Sequence, residues 1–197
     1  SVLNAVRFFS RSASVMAIAD AGHGRLWLAT SAGLLRLEPD TGTFETIALG
    51  GFSHANLRSL LVDRDGSLWL GTYGDGALHY QRDSQRVVHY GHQRGDPRKL
   101  AHPSVHALLQ DRQGRIWFGT GGGLDVLDRA TGRIRHFRHD PQRPDSLPGN
   151  MVRALHEDAD GTVWVGTHAG LAQVVEPTPG AIAFSLPLAD ALDRRVP

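Results

Sequence analysis

Residues 117–125 read WFGTGGGLD, an apolar run that ends in Gly119-Thr120 and passes through three glycines to an aspartate. A strand that feeds a glycine-rich loop is one way to cradle a phosphate. The stretch lacks the Gly-Lys-Ser/Thr ending of a Walker motif, and no G-x-G-x-x-G spacing opens a helix after it. Its meaning comes from comparison with the rest of the chain. Trp27, Trp69, Trp117 and Trp164 are 42, 48 and 47 residues apart, in GHGRLWLATSAGL, DGSLWLGTYGDGAL, QGRIWFGTGGGL and DGTVWVGTHAGL. Three residues before each Trp stands Gly24, Gly66, Gly114 or Gly161, and three after it Thr30, Thr72, Thr120 or Thr167. Nine before it comes Ile18, Leu60, Leu108 or Leu155, and twelve before it Val15, Leu57, Val105 or Val152. Six before it the last three copies carry Asp63, Asp111 and Asp158, and the first carries Ala21. The glycine loop recurs as SAG, YGDG, GGG and HAG, so its glycines serve a turn and not a nucleotide.

A repeat of this period fixes the architecture. In the third copy SVHALLQD, RIWFGT, LDVLD and RIRHF read as short strands, separated by the turns RQG and RATG and by the glycine loop. They are rich in Val, Ile, Leu and aromatics and show no sustained helical period. Four antiparallel strands recurring every 40 to 50 residues define a β-propeller blade. A single copy is too short to bury a core of its own. The expectation is an all-β chain, one propeller segment over 1–197, with blades at about 13–50, 55–92, 103–139 and 150–187 and a C-terminal tail at 188–197. The tryptophans are expected between neighbouring blades. An additional outer strand at about 4–10, AVRFF, is left over, which points to an excerpt of a larger ring. Closure with four blades and a homodimer that completes an eight-bladed ring are the alternatives.

Composition excludes several classes. Of the 197 residues 41% are apolar and 21% charged, and the net charge of +1 provides no broad basic field for nucleic acid. There is no cysteine, and no apolar run approaches the length of a membrane span. No cofactor motif is present. His89/His92, His102/His106 and His136/His139 are close in sequence, but none lies in a helical H-E-x-x-H context, so they read as surface histidines and no metal is expected. The aspartates of DRDG, DRQG and DADG lack EF-hand spacing and read as hairpin-turn residues. No G-x-S-x-G is present, and no catalytic residue is assigned.

Strand alternation places the glycine loops at the same end as the long crossovers, 91–103 and 138–150, with the tight turns at the other end. On the loop face the residues vary: Ser31, Tyr73, Gly121 and His168 follow the repeated Thr, and Met16, Arg58, His106 and Arg153 are second in each inner strand. Arg58, Tyr73, Asp75, His106, Arg153 and His168 are the candidate ligand contacts, suited to a polar or anionic small molecule such as a carbohydrate or an organic acid.

The pattern V-x-A-L-x-x-D-x-x-G-x-[IV]-W-[FV]-G-T-x-x-G-L, as in VHALLQDRQGRIWFGTGGGL and VRALHEDADGTVWVGTHAGL, resembles the two-component regulator propeller repeat. So does the lead-in HDPQRPDSLPGNMVRAL, and the resemblance covers roughly residues 13–184. The first copy departs at Ala21 and Ala29, and the second has one extra loop residue in Gly74-Asp75-Gly76. The resemblance implies a periplasmic sensor propeller of a bacterial hybrid histidine kinase or diguanylate cyclase, without catalysis of its own. A protein-interaction or dimerisation platform is the alternative. A further alternative is an enzyme, because streptogramin-lyase-type propellers share a similar Gly-x-Ile-Trp motif. His106 and His168 would then be acid/base candidates, and Arg58 or Arg153 would stabilise charge.

Overall fold

The computed structural model describes residues 13–176, 178 and 180–186. The expected leftover strand at 4–10 and the tail at 188–197 lie outside them. Four sheets follow one another, each of four antiparallel strands in sequence order. The first holds β1 (Val15–Gly22), β2 (Arg25–Thr30), β3 (Gly33–Glu38) and β4 (Thr43–Thr46). The second holds β5 (Leu57–Val62), β6 (Leu68–Thr72), β7 (Ala77–Gln81) and β8 (Arg86–Tyr90). The third holds β9 (Val105–Gln110), β10 (Ile116–Thr120), β11 (Gly123–Asp128) and β12 (Arg133–Phe137), and the fourth β13 (Val152–Glu157), β14 (Val163–Thr167), β15 (Gly170–Val175) and β16 (Ala183–Ser185). These are the blades of a β-propeller, and the helical content of the described residues is one 3-10 turn at Gly50–Phe52.

The chain divides into two compact units, one of residues 1–91 with 103–105, the other of 92–102 with 106–197. In the first unit Trp27 lies in a core with Leu57, Leu68, Leu70, Leu78 and Tyr80 of the second sheet and with Ile47 and Leu49 of the connecting segment. In the second unit Trp117 lies in a core with Val152, Val163, Val165, Ala172 and Phe184 of the fourth sheet. Each of these tryptophans is thus buried against the sheet that follows it, as the repeat implies. β6 and β10 are buried at every position, which explains their continuous apolar runs where a half-exposed strand would alternate.

The Trp-x-Gly step follows from the same packing. A Cβ on Gly119 would come within 2.7 Å of Val152 Cγ1, and one on Gly71 within 2.7 Å of the Val105 carbonyl oxygen. A larger residue here would push the adjoining strands apart.

Candidate functional site

The repeated threonine builds the loop end of every sheet. Thr30, Thr120 and Thr167 donate their hydroxyls to the carbonyls of Gly33, Gly123 and Gly170, at 2.7, 2.8 and 3.0 Å. Each hydroxyl also accepts the N–H two residues on, from Ala32, Gly122 and Ala169. In the second sheet Thr72 reaches one residue further, to the Gly76 carbonyl at 2.9 Å, and accepts the Asp75 N–H at 2.8 Å. The extra residue of that copy is absorbed without loss of either bond. The loop glycine has to be glycine: Gly123 has a φ of 133°, and a Cβ there would collide with the Phe137 carbonyl oxygen of the outer strand.

The residue after each threonine is tied to the start of the inner strand. The N–H groups of Ser31, Tyr73 and His168 donate to the carbonyls of Ser14, Asn56 and Met151 at 2.9, 2.8 and 3.0 Å. This brings the two sets of variable residues together. The register also skips one residue between Val15 and Ala17, between Leu57 and Ser59, and between Val152 and Ala154. Met16, Arg58 and Arg153 therefore each sit in a β-bulge, a device that turns one side chain away from the regular pleat. A pattern of alternating residues carries no mark of it.

The second sheet shows the result. The Arg58 guanidinium lies over the Tyr73 ring, 4.8 Å from its centroid, and the ring is 58% exposed. Arg58 Nε and Asn56 Oδ1 are buried and have no hydrogen-bond partner among the described residues. Asp75 is exposed, and its carbonyl oxygen faces His89 Nε2 at 2.6 Å. In the fourth sheet Val152 pairs with Thr167, which sets Arg153 and His168 one step beyond a paired position, and both are exposed. His106 is half-buried and engaged by its surroundings. Arg58 and Tyr73 are sequence candidates that the structure puts in direct contact.

The repeated aspartates do more than turn the chain. Trp69, Trp117 and Trp164 each donate their indole N–H to the aspartate six residues before, Asp63, Asp111 and Asp158, at 2.8, 2.7 and 2.9 Å. The turn reading holds as well, because the carbonyls of these aspartates accept the N–H of Gly66, Gly114 and Gly161. The bond to Trp164 holds the Asp158 carboxyl below the usual range. Asp63, Asp65 and His79 bring three potential metal-ligating atoms within 4.8 Å of one another. They are already spent: Ser67 Oγ bonds both Asp65 and His79 Nε2, and the His79 ring stacks on Trp69 with centroids 4.2 Å apart. The cluster is a polar support for the indole.

The histidine pairs also have structural partners. His92 and His139 brace their crossovers by facing the carbonyls of Leu100 and Leu147 from Nδ1, at 2.8 and 2.7 Å. His136 Nδ1 faces the buried Asp125 carboxylate at 2.7 Å, and its Nε2 faces the Pro97 carbonyl at 2.9 Å. Both partners are acceptors, so the ring satisfies both only as the imidazolium, and the Asp125 carboxylate raises its pKa. The other Asp125 oxygen accepts the Ala101 N–H at 2.7 Å. This pair pins the 92–102 crossover to the third sheet. Beside it opens a cleft of about 770 Å³ lined by Arg94, Lys99, Arg138 and His136, while its acid, Asp96, is engaged by Arg98. The sequence reading did not single out this cleft.

Strands, bulges and loop ends together define a repeat propeller with variable polar residues on a repeated frame. The sequence profile described as two component regulator propeller matches residues 51–74, 99–122 and 146–169. Three segments of the chain thus match the regulator propeller repeat, and each matched segment ends within a glycine loop. Among solved structures it resembles the extracellular domain of a B. thetaiotaomicron protein assigned as a one component system, at 27% identity and a TM-score of 0.68, over 81% of this chain and 21% of that one. The extracellular domain of a hybrid two component system from B. thetaiotaomicron aligns at 21% identity and a TM-score of 0.67, over 89% of this chain and 25% of that one. Virginiamycin B lyase from Staphylococcus aureus aligns at 16% identity and 0.62, over 87% of this chain and 55% of the lyase. The last two likenesses speak to the fold alone. The chain spans about a fifth to a quarter of the length of the two B. thetaiotaomicron domains. No curated protein sequence matches it.

Proposed function

We propose that this chain is a non-catalytic segment of the extracytoplasmic sensor propeller of a bacterial signalling receptor. The observation that carries the reading is the joint one: three regulator propeller repeats, and 27% identity over 81% of the chain to the extracellular domain of a signalling protein. The ligand class is a small polar or anionic molecule, a carbohydrate or an organic acid. Arg58 on Tyr73, with the unpaired atoms of Arg58 and Asn56, is the place best suited to hold it. Asp75, His106, Arg153 and His168 are the further contacts. A ligand would act by favouring one arrangement of the propeller over another and so biasing a fused output domain.

Calorimetric titration with a panel of oligosaccharides and organic acids tests this. Saturable binding that Arg58→Ala weakens is the expected result. Turnover of a ligand that His106→Ala or His168→Ala abolishes would replace the sensor with an enzyme.

One observation favours a second reading, a protein-contact surface. Val15, Met16 and Ile18 of β1 are 44%, 40% and 61% exposed, a row of apolar side chains on an inner strand. Light scattering reads this directly, since a second copy covering the row would double the mass and Ile18→Lys would reverse it.

A further inference from the structure

Ala21 occupies the place that Asp63, Asp111 and Asp158 hold in the other sheets. The third sheet shows what is missing. Asp111 is fully buried, and its Oδ2 accepts two donors at once, the Trp117 indole N–H at 2.7 Å and Arg115 Nε. The matching donors of the first sheet are Trp27 Nε1 and Arg25 Nε, at the same offsets from the repeat. Both atoms are buried, and neither has a hydrogen-bond partner among the described residues. Trp27 itself is 1% exposed.

Neighbouring carboxylates do not fill the gap. Asp20 is exposed, and its Oδ1 accepts the Gly22 N–H at 2.8 Å. Glu38 Oε2 lies 3.4 Å from Arg25 Nε without hydrogen-bond alignment. Nor does Glu38 forbid a second anion, since Arg115 holds Glu176 at 2.6 Å as well as Asp111. The Arg82 and Arg36 guanidinium carbons lie 5.4 and 5.7 Å from the Trp27 ring centroid, and Arg36 is itself paired with Glu45. A buried N–H without an acceptor is costly, and a charged acceptor relieves it best.

We propose that the two unpartnered donors beside Ala21, Trp27 Nε1 and Arg25 Nε, form an anion site, which takes a chloride ion or the carboxylate of a small acid. The bound anion stands where the Asp111 carboxylate stands in the third sheet. Its size is set by what Ala21 lacks relative to aspartate, one carboxylate group. The site rests on the first sheet alone and is independent of the sensor reading.

The test follows the indole N–H resonances of the ¹⁵N-labelled 197-residue chain, with Trp27 assigned by its loss in Trp27→Phe. Sodium formate and sodium chloride are titrated separately, with ionic strength held by sodium sulfate. The expected result is a saturable shift of the Trp27 resonance at concentrations at least about tenfold below any change at the other indoles, the factor of one hydrogen bond to a charged group. A response to formate alone identifies a carboxylate site, and a response to chloride alone a halide site. Ala21→Asp is expected to move the resonance to its anion-bound position and end the response. Arg25→Gln, which removes the Nε donor and leaves Trp27 in place, should weaken the response by a similar factor. A Trp27 resonance that neither salt moves, or a response undiminished in Arg25→Gln, overturns the proposal.

Discussion

Asp111 Oδ2 stands 2.7 Å from Trp117 Nε1, and the same bond recurs from Asp63 to Trp69 and from Asp158 to Trp164. One carboxylate therefore ends a tight turn at its backbone and anchors the indole that fills the core at its side chain. Removing it leaves a buried donor pair. Asp111→Ala is expected to destabilise the protein by about 2–4 kcal/mol, the cost of orphaning the Trp117 and Arg115 donors together. Asp111→Asn keeps an acceptor and should cost about half of that. Urea unfolding followed by tryptophan fluorescence measures both, and equal losses for the two variants would show that charge, not hydrogen bonding, dominates.

The tryptophans themselves are not equivalent. Trp117 is fully buried in the core it shares with the fourth sheet, whereas Trp164 is only half-buried. Trp117→Ala is expected to cost about 3–5 kcal/mol, typical for loss of a buried aromatic. Trp164→Ala should cost clearly less, because part of its ring is already in water. Comparable losses at the two positions in thermal unfolding would mean that Trp164 is covered in solution by something further.

How far the sequence could be read follows from which contacts leave a periodic trace. Trp27, Trp69, Trp117 and Trp164 mark the blades because the same packing is solved four times at one spacing. Thr30 and its counterparts are legible for the same reason. The bulges at Met16, Arg58 and Arg153 are not, since a single extra residue leaves strand composition unchanged. Nor was the second task of Asp63, Asp111 and Asp158, because turns select aspartate on their own account. Strand counting puts Arg58 and Tyr73 at the same end of their sheet, but their contact depends on the bulge at Arg58. The brace of the 92–102 crossover by His136 and Asp125 escaped, because it joins residues that no motif links.

The glycines of the loops and of the tight turns differ in what they tolerate. At Gly123 the backbone is left-handed and a Cβ would meet the Phe137 carbonyl oxygen, whereas at Gly132, with a φ of 69°, nothing lies within 4 Å. Gly132→Ala should therefore cost only the backbone strain, about 1 kcal/mol. Gly123→Ala adds a steric clash with the main chain of β12 and is expected to cost at least about 2–3 kcal/mol. Chemical denaturation of the two variants checks this, and a larger loss at Gly132 would contradict the close approach of β11 and β12.

His136 makes the stability of the 92–102 crossover depend on pH. Its ring faces the Asp125 carboxylate and the Pro97 carbonyl, with the Arg138 cation opposing the charge. The carboxylate prevails, so the folded pKa lies above the ordinary 6.5. A raised folded pKa favours the protonated form, and its stabilisation is complete below the ordinary value and lost as pH rises through the folded one. Wild type should therefore exceed His136→Gln in melting temperature most clearly at acidic pH, with the gap closing above neutrality. Protection of the Ala101 N–H from hydrogen exchange, relative to the intrinsic rate at each pH, should fall over the same interval, because that N–H is held by the other oxygen of Asp125. A melting difference that stays constant across the interval would show that His136 holds the crossover as a neutral ring and that the Asp125 contact is steric and not ionic.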